Sequence, residues 1–331
     1  MPRPIVDPRF PGRLRALRGE RGLSLRELAA AAYVGKSSLS ELENGVTGPS
    51  VEMAGHLDRA LDAAGELAGM VTPAPEPEPE QAERVRYVLT RPAALDRPAV
   101  EALAGVLAAH RRLDDVIDSR LLLPAAEAEW RTVASLADQA GGPAADELRR
   151  VAATWTQFHG WLLAEARRDA AAVRVLVEAA EQADAVDDGV LAAQVENFRG
   201  YLERQRGNPR GIVRHFVAAY HTPGANVLQR VGDAVQAAHG YALLGDQAEA
   251  VRLLGEASDL TERADGQPAP EAAYWLSPQF SRMGIGLAHL AMGDRGRAAD
   301  QLRAGLESLP DGQAEAEWAA EYRDALAEAV R

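Results

Sequence analysis

The sequence predicts an all-α protein in which two helical domains are joined by a proline-rich segment. Apolar residues recur at helical spacing through most of the chain, and no stretch of residues 98–330 alternates as a β-strand does. Four similar turn sequences follow one another in the second half of the chain. Between the halves lies TPAPEPEPEQ (72–81), where alternating proline and glutamate favour an extended, semi-rigid spacer.

Length and composition narrow the class of protein. A chain of 331 residues is too long for one ordinary core, so we expect at least two domains. The absence of cysteine excludes disulfides, thiol nucleophiles and cysteine metal sites. The N-terminus has no apolar signal region, and no run of about 18 apolar residues occurs. We therefore expect a cytoplasmic protein without a membrane span.

Charge is distributed unevenly along the chain. The net charge of −13 argues against a non-specific nucleic-acid coat. Residues 1–70 are neutral overall, residues 71–82 carry −3 and residues 83–331 carry −10. Any contact with DNA is therefore expected in the N-terminal segment, which also contains Lys36, the only lysine of the chain.

The N-terminal segment contains signals for four or five short helices. In SLRE (24–27), the Ser24 hydroxyl and the Glu27 carboxylate have the spacing of a capping box, which opens a helix. A second short helix follows at 36–44 and ends at Gly45, and Ser50 is placed to cap a third. These signals predict a domain over residues 1–70, followed by a Pro/Glu linker at 71–82.

Residues 13–61 resemble the helix-turn-helix domain of the Xre/phage-repressor family. The resemblance is carried by GLSLRELA (22–29) and by SSLSELENGVTGPS (37–50). It implies a five-helix, lambda-repressor-like fold and binding to double-stranded operator DNA. The second helix of such a motif lies in the major groove.

The resemblance implies six DNA-contacting side chains. Lys36 would donate to guanine and Glu41 would accept from cytosine, while phosphate contacts position the domain without reading sequence. The four residues expected at base edges are Lys36, Ser37, Ser40 and Glu41, and the two expected at phosphates are Asn44 and Thr47. The alternative is an intact helix-turn-helix that is used for protein contact.

Six arginines are expected to place positive charge along the first helices: Arg9, Arg13, Arg15, Arg18, Arg21 and Arg26. The resemblance implies that Arg18 pairs with Glu43 inside the domain and is not a free phosphate ligand.

Four positions depart from the family pattern. Leu25 replaces a glutamine that commonly contacts phosphate, and Tyr33 replaces the glycine of the turn. Gly35 replaces the usual Ser/Thr cap of the recognition helix, and Glu41 replaces a frequent arginine. These departures predict weaker contacts with DNA phosphates, so that the affinity for DNA depends more on dimerisation.

The second half contains a degenerate repeat. Its turn points at Asp169, Asn208, Asp246 and Asp294 are separated by 39, 38 and 48 residues. Small or apolar residues recur at fixed offsets from these points, which predicts paired helices that cross closely. The pattern resembles the tetratricopeptide repeat. It implies a solenoid of helical hairpins within residues 83–331, with 316–331 as the closing helix.

Tetratricopeptide arrays bind extended peptides on a concave face, and the resemblance places one polar helix of this chain, 188–207, on that face. An asparagine amide can pair with both the N–H and the C=O of a bound peptide backbone, which favours Asn197 as a contact. The expected ligand-binding residues are Gln194, Asn197, Tyr201, Arg204 and Gln205, with His239 and Trp155 on the same surface. The alternative is a solvated helix whose asparagine is satisfied within the protein.

Together the halves resemble bacterial regulators that join an Xre domain to tetratricopeptide repeats, some of which are receptors for signalling peptides. The resemblance implies a homodimer on an inverted repeat, controlled by a peptide, small ligand or partner protein. The competing interpretation is a protein-interaction adaptor. No phosphate-binding loop or histidine metal pattern occurs, and the Asp-Asp pairs at 114–115 and 187–188 are expected to be solvated helix ends. We therefore expect no enzyme activity, no cofactor and no metal.

Overall fold

The computed structural model describes residues 4–73, 78–264, 266–310 and 313–331, and within these ranges the fold is all-α. The N-terminal domain contains five helices, as predicted. Their bounds are α1 Phe10–Glu20, α2 Leu25–Ala31, α3 Lys36–Glu43, α4 Val51–Leu61 and α5 Glu66–Gly69. These helices enclose their own apolar core, in which Phe10, Leu14, Leu28 and Leu57 are fully buried.

A short antiparallel ribbon was not predicted. Strand β1 (Ile5–Val6) pairs with β2 (Val71–Thr72), so that the ends of the N-terminal domain are hydrogen-bonded to each other. Ile5 is buried in the core of the second domain instead of the first. Two-residue strands leave no alternating pattern for a sequence to reveal.

The predicted spacer at 71–82 is shorter in the structure. Val71 and Thr72 belong to β2, and helix α6 begins at Pro79, so both ends of the predicted segment have regular structure. Residues 74–77, the centre of the predicted polyproline segment, lie outside the described residues. Proline is favourable in the first turn of α6, because an N–H group at that position would have no acceptor within the helix.

The second domain consists of twelve helices over the described residues. Their bounds are α6 Pro79–Thr90, α7 Arg97–Asp114, α8 Ser119–Gln139, α9 Ala145–Glu165, α10 Asp169–Ala185, α11 Gly189–Gln205, α12 Pro209–His221, α13 Val227–Leu243, α14 Gln247–Arg263, α15 Pro278–Ala291, α16 Arg295–Glu307 and α17 Ala320–Ala329. From α8 to α17, most successive helices pack against each other, which gives a series of helical hairpins closed by α17.

The four predicted turn points lie where the second helix of each hairpin begins. Asp169 is the first residue of α10, and the side chains of Asn208, Asp246 and Asp294 cap α12, α14 and α16. Each cap accepts a hydrogen bond from a backbone N–H that would otherwise lack a partner. The repeat register read from the sequence therefore holds at three turn points and is shifted by one residue at the first, where the N-cap is Arg168 and the predicted apolar positions Val173 and Val177 are exposed.

Close helix crossings explain the small residues at fixed offsets. A Cβ atom placed on Gly200 of α11 would lie 2.6 Å from the Phe216 ring of α12. A Cβ atom on Gly286 of α15 would lie 2.5 Å from Leu302 of α16. Only glycine lets these helix backbones approach so closely.

The longest spacing between turn points has a structural cause. The connection between α14 and α15 is long and contains a short 3₁₀ helix, Glu271–Ala273. It carries Tyr274 and Trp275 back toward α7 and α11, where both side chains join the wall of a cavity.

Candidate nucleic-acid interface and ligand cavity

Helix α3 is held in place from its inner face. Leu39 and Leu42 are almost fully buried in the N-terminal core, against α1 and α2. Helix α2 begins with the predicted capping box, in which the Glu27 N–H donates to the Ser24 hydroxyl at 3.3 Å and the Glu27 carboxylate accepts from the Ser24 N–H at 2.8 Å. This packing leaves the N-terminal turn of α3 facing outward.

Four predicted base-contacting residues lie together on this outward turn. Lys36, Ser37 and Glu41 are exposed, and Ser40 is half-buried. Within the described part of the chain, Lys36 and Glu41 have no ion-pair partner. Gly35 is the N-cap residue of α3. Because it has no side chain, it accepts no side-chain hydrogen bond from the first N–H groups of the helix.

The two residues predicted to contact phosphate differ in whether their side chains already have hydrogen-bond partners within the domain. Thr47 is exposed in the turn after α3. The Asn44 amide is already used within the domain, because its nitrogen donates to the Ser40 carbonyl at 2.8 Å and its oxygen accepts from Arg15 at 3.0 Å. Each amide atom keeps one further hydrogen-bonding position for an external group.

Arg18 and Glu43 form the predicted pair. The Arg18 guanidinium donates to both Glu43 oxygens, at 2.6 and 2.9 Å, and also to the Leu23 carbonyl at 2.9 Å. The Glu43 side chain is only 4% exposed, so the pair is largely removed from water. This bidentate bond fixes the end of α3 to α1.

The prediction of a basic surface along the first helices is largely wrong. Five of the six arginines are paired with carboxylates inside the domain: Arg9 with Asp7, Arg13 with Glu20 and Glu66, Arg15 and Arg18 with Glu43, and Arg21 with Asp62. Arg26 remains exposed and unpaired among the described residues, as do Lys36 and Arg59. The domain therefore offers a few separate cations instead of a continuous positive stripe.

The turn between α2 and α3 contains an unusual aromatic residue. Tyr33 has a φ of +57° and is 90% exposed. A left-handed backbone costs a residue with a Cβ atom about 1–2 kcal/mol, which explains why glycine is common at such a turn. The left-handed turn closes the end of α2, because the Tyr33 N–H donates to the Ala30 carbonyl at 3.4 Å and the Val34 N–H donates to the Ala29 carbonyl at 2.9 Å, while the Tyr33 ring lies in solvent.

A cavity opens on the inner side of the helical hairpins. It encloses about 1140 Å³ of empty space, including the solvent at its mouth. Its walls come from α7, α9, α11, α13 and α15, from the connection after α14, and from the C-terminal region including α17. Aromatic side chains dominate the lining, and Trp161 stacks on Phe198 with ring centroids 4.5 Å apart. A largely apolar cavity with a few polar groups is the usual form of a small-ligand site.

Four of the five predicted ligand-binding residues line this cavity: Gln194, Asn197, Tyr201 and Arg204. They project from α11, so the predicted polar helix does face the space. Each of them already has at least one hydrogen-bond partner within the protein. Asn197 donates to Asp233 at 2.6 Å, and Gln194 accepts from Gln229 at 3.2 Å. Gln205 lies one turn on and donates to the Tyr201 hydroxyl at 3.1 Å.

Arg204 is the most extensively bound of these residues. It donates to Gln236 at 2.6 Å and to the Tyr322 hydroxyl at 3.2 Å, and it forms an ion pair with Glu321 at 3.1 Å. Its guanidinium also lies 5.0 Å from the centroid of the Tyr201 ring. Arg204 therefore joins α11 to α17 across the cavity.

Two residues expected on the same surface are elsewhere. His239 is buried and does not line the cavity, and burial lowers its pKa to about 3, which keeps the imidazole neutral. Trp155 is completely buried in the core against His110. Both were misplaced because one turn of helix separates a core position from a cavity position.

Helix α7 supplies cavity residues that the sequence did not reveal. Arg111, Asp114 and Asp115 line the cavity, so the prediction that 114–115 is a solvated helix end is wrong. Trp161 donates to Asp114 at 2.6 Å, and the Tyr274 hydroxyl donates to Asp115. Burial raises the pKa of Asp115, and that of Asp114 well above its usual range.

A buried carboxyl group lies directly behind the cavity wall. Asp233 of α13 is completely buried, and its Oδ1 accepts the hydrogen bond from Asn197 while Oδ2 has no partner among the described residues. Burial raises the pKa of Asp233 to about 8, against the opposing effect of the Asn197 bond. The group is therefore mostly protonated at neutral pH.

The comparisons with known proteins agree with the N-terminal fold. Residues 10–68 match the family model described as a helix-turn-helix domain. The N-terminal domain is thus a helix-turn-helix domain, attached to a larger domain of helical hairpins. No curated protein matches the sequence.

One solved structure resembles the whole chain at low similarity. It is the crystal structure of Bacillus thuringiensis PlcR in complex with the peptide PapR7 and DNA, with 11% identity and a TM-score of 0.43. The match covers 97% of this chain and 99% of that one. This likeness is too weak to carry an inference about what the present chain binds.

Two further observations concern the described residues alone. No helix among them is long and apolar enough to cross a membrane. They also contain no group of three or more histidine, cysteine, aspartate or glutamate side chains that could hold a metal ion.

Proposed function

We propose that this protein is a cytoplasmic, non-enzymatic transcription regulator. Its helix-turn-helix domain reads operator DNA through α3, and its helical-hairpin domain, which we take to be tetratricopeptide-like, binds a controlling peptide, small ligand or partner protein in the cavity. The observation that carries the proposal is the outward turn of α3, where Lys36 and Glu41 are exposed and make no ion pair within the domain.

The small number of available cations supports a dimer on an inverted repeat. Lys36, Arg26 and Arg59 are the unpaired cations among residues 4–73. Each phosphate contact contributes about −0.9 to the slope of log K against log salt, so a dimer in which Arg26 and Arg59 of each protomer contact phosphate would have a slope of about −4. A single domain would bind too weakly and too non-specifically for a regulator.

Selection of bound sequences from a random DNA duplex pool tests the proposal. The full-length protein should enrich an inverted repeat whose half-sites are separated by about one helical turn of DNA. Lys36→Ala should relax the preference at one position of each half-site, because this side chain reads a base edge.

Arg26→Ala is the matched control for this experiment. It removes an exposed cation of α2 from each protomer, so it should weaken binding of the dimer to all sequences alike and reduce the magnitude of the salt slope by about two, without relaxing any position. The same relaxation pattern in both variants would contradict the assignment of α3 to the major groove.

The observation that five of six arginines are already paired favours an adaptor as the second candidate. An adaptor would enrich no sequence, either as full-length protein or as residues 1–82, which contain the separate N-terminal core. Enrichment by the fragment alone would instead indicate that the second domain holds the first inactive in the absence of its ligand.

A further inference from the structure

The cavity contains a buried cation that the protein does not neutralise. Arg111 of α7 is 6% exposed and lines the cavity. It makes one hydrogen bond, to the Gln157 amide oxygen at 3.2 Å, and its guanidinium lies 6.0 Å from the centroid of the Phe158 ring. No carboxylate among the described residues pairs with it within 4.0 Å, and Glu271, which acts on it at longer range, is exposed.

The second buried arginine of the cavity shows what a neutralised site looks like here. Arg204 has an ion pair with Glu321, two hydrogen bonds and aromatic neighbours. Arg111 has one long bond to a neutral amide. A buried charge without a partner costs several kcal/mol, so proteins rarely retain one without a use.

The carboxyl groups near Arg111 do not neutralise its charge. Asp114 and Asp115 lie one turn further along α7, but their partners are Trp161 and Tyr274. A buried carboxyl group can become neutral by taking up a proton, and burial raises the pKa of both groups. Burial lowers the pKa of Arg111 only to about 10, so the guanidinium stays charged at neutral pH.

The walls beside Arg111 are apolar and aromatic. Phe158 lies under the guanidinium, and Trp161 and Phe198 stack next to it. Trp275 continues this surface, with its ring parallel to Phe198 within 12°. Such walls accommodate an apolar body, while the planar fork of donors on an arginine matches a carboxylate or phosphate.

We propose that Arg111 binds the anionic head group, a carboxylate or a phosphate, of a cavity ligand whose apolar or aromatic body lies against Phe158, Trp161 and Phe198. The inference rests on the proposed function in one respect, namely that this ligand is the one that controls the regulator. Its test does not, because binding to the cavity is measured without DNA.

The experiment uses four probes that share one body and differ in the head group. They are 4-phenylbutyrate, 4-phenylbutyl phosphate, 4-phenylbutylamine and 4-phenylbutan-1-ol, titrated into the full-length protein by calorimetry at pH 7. We expect at least one of the two anions to bind at least tenfold more tightly than the amine and the alcohol. The stronger of the two anions identifies the head group as carboxylate or phosphate.

Arg111→Met tests the residue itself, because methionine keeps an apolar side chain of similar length. We expect this variant to lose the preference for anions and to bind all four probes within about threefold of one another. Its unfolding temperature without ligand should equal or exceed that of the parent, because an unpaired buried charge has been removed. Arg97→Met is the control, since Arg97 is on the first turn of α7 with its side chain 74% exposed.

Three results would overturn the inference: equal or tighter binding of the amine or alcohol, an anion preference that persists in Arg111→Met, or no binding of any probe at millimolar concentration. A marked loss of stability in Arg111→Met would show a structural role. Sequence-selective DNA binding without probe binding would leave the proposed function intact. Probe binding without DNA selection would leave only the present inference.

Discussion

Asp233→Asn should stabilise the protein, although it alters a completely buried, hydrogen-bonded residue. Asparagine has the same shape as aspartate, and its amide oxygen can still accept the hydrogen bond from Asn197. The substitution removes only the cost of a carboxyl group that ionises readily in the unfolded chain but not in the folded protein.

The magnitude of this cost follows from the two pKa values. The pKa of Asp233 is about 8 in the folded protein and about 3.9 in an unfolded chain. Because the folded value is raised, the folded state retains a proton that the unfolded state releases, and stability is lost as the pH rises from about 4 to 8. At 1.36 kcal/mol per pH unit, the loss is about 1–2 kcal/mol at pH 5 and about 4 kcal/mol at pH 7.

Thermal unfolding at several pH values measures this difference. In a domain of this size, 1 kcal/mol shifts the unfolding temperature by about 2–4 °C, so Asp233→Asn should unfold about 10 °C higher at pH 7 and only about 4 °C higher at pH 5. Asp138→Asn, which changes an exposed aspartate of α8, should show no such trend. A constant difference between Asp233→Asn and the parent from pH 5 to 8, or destabilisation throughout, would refute this reasoning.

Three further predictions concern the helix packing, the buried ion pair and the backbone of the turn. Gly200→Ala should lower the free energy of unfolding by about 1–3 kcal/mol because its Cβ collides with the facing helix, whereas Gly105→Ala, exposed and without neighbours within 4 Å, should raise it by about 0.5–1 kcal/mol; urea unfolding compares them. Glu43→Gln should cost about 1–3 kcal/mol because Arg18 is left without its counter-ion, and Glu43→Asp should recover part of that loss. Tyr33→Gly should raise the stability of the N-terminal domain by up to about 1 kcal/mol, measured by hydrogen exchange of α2 and α3; a loss would show that the ring stabilises the turn.

The features that the sequence predicted correctly depend on neighbouring residues. A capping box, a proline in a first turn and an Asp or Asn cap act over three or four positions, so Ser24 and Asp246 could be assigned from their immediate context. The small residues of the repeat also depend on nearby sequence. Gly200 and Gly286 each face the helix that comes next in the chain.

The features that the sequence did not predict depend on residues far apart. The Arg13–Glu66 pair joins positions 53 residues apart, so a count of arginines could not show that most are neutralised. Tyr274 reaches the Arg111 carbonyl across 163 residues, through a connection that contains Pro268 and Pro270. Adjacent aromatic residues in that connection were the available signal, since a solvated loop has little reason to retain Tyr274 and Trp275.

The contacts around the cavity also connect it to the helix-turn-helix domain. Helix α9 contributes Phe158 and Trp161 to the cavity, and its opposite side holds α8, where Trp130 donates to Thr156 at 3.0 Å and stacks on His159 at 4.5 Å. Helix α8 in turn contacts β1, whose Ile5 is buried in the same core.

This continuous packing links the cavity to the N-terminal domain, but contiguity alone does not create coupling. A ligand shifts DNA binding only by its difference in affinity between two arrangements of these helices. Trp130→Phe removes the hydrogen bond to Thr156 but keeps a ring against His159. This variant therefore distinguishes mere contact between the helices from coupling between ligand binding and DNA binding. If α8 transmits the signal, this variant will bind ligand and DNA as the parent does, while the ligand no longer changes the DNA affinity; an unchanged response would place the coupling elsewhere.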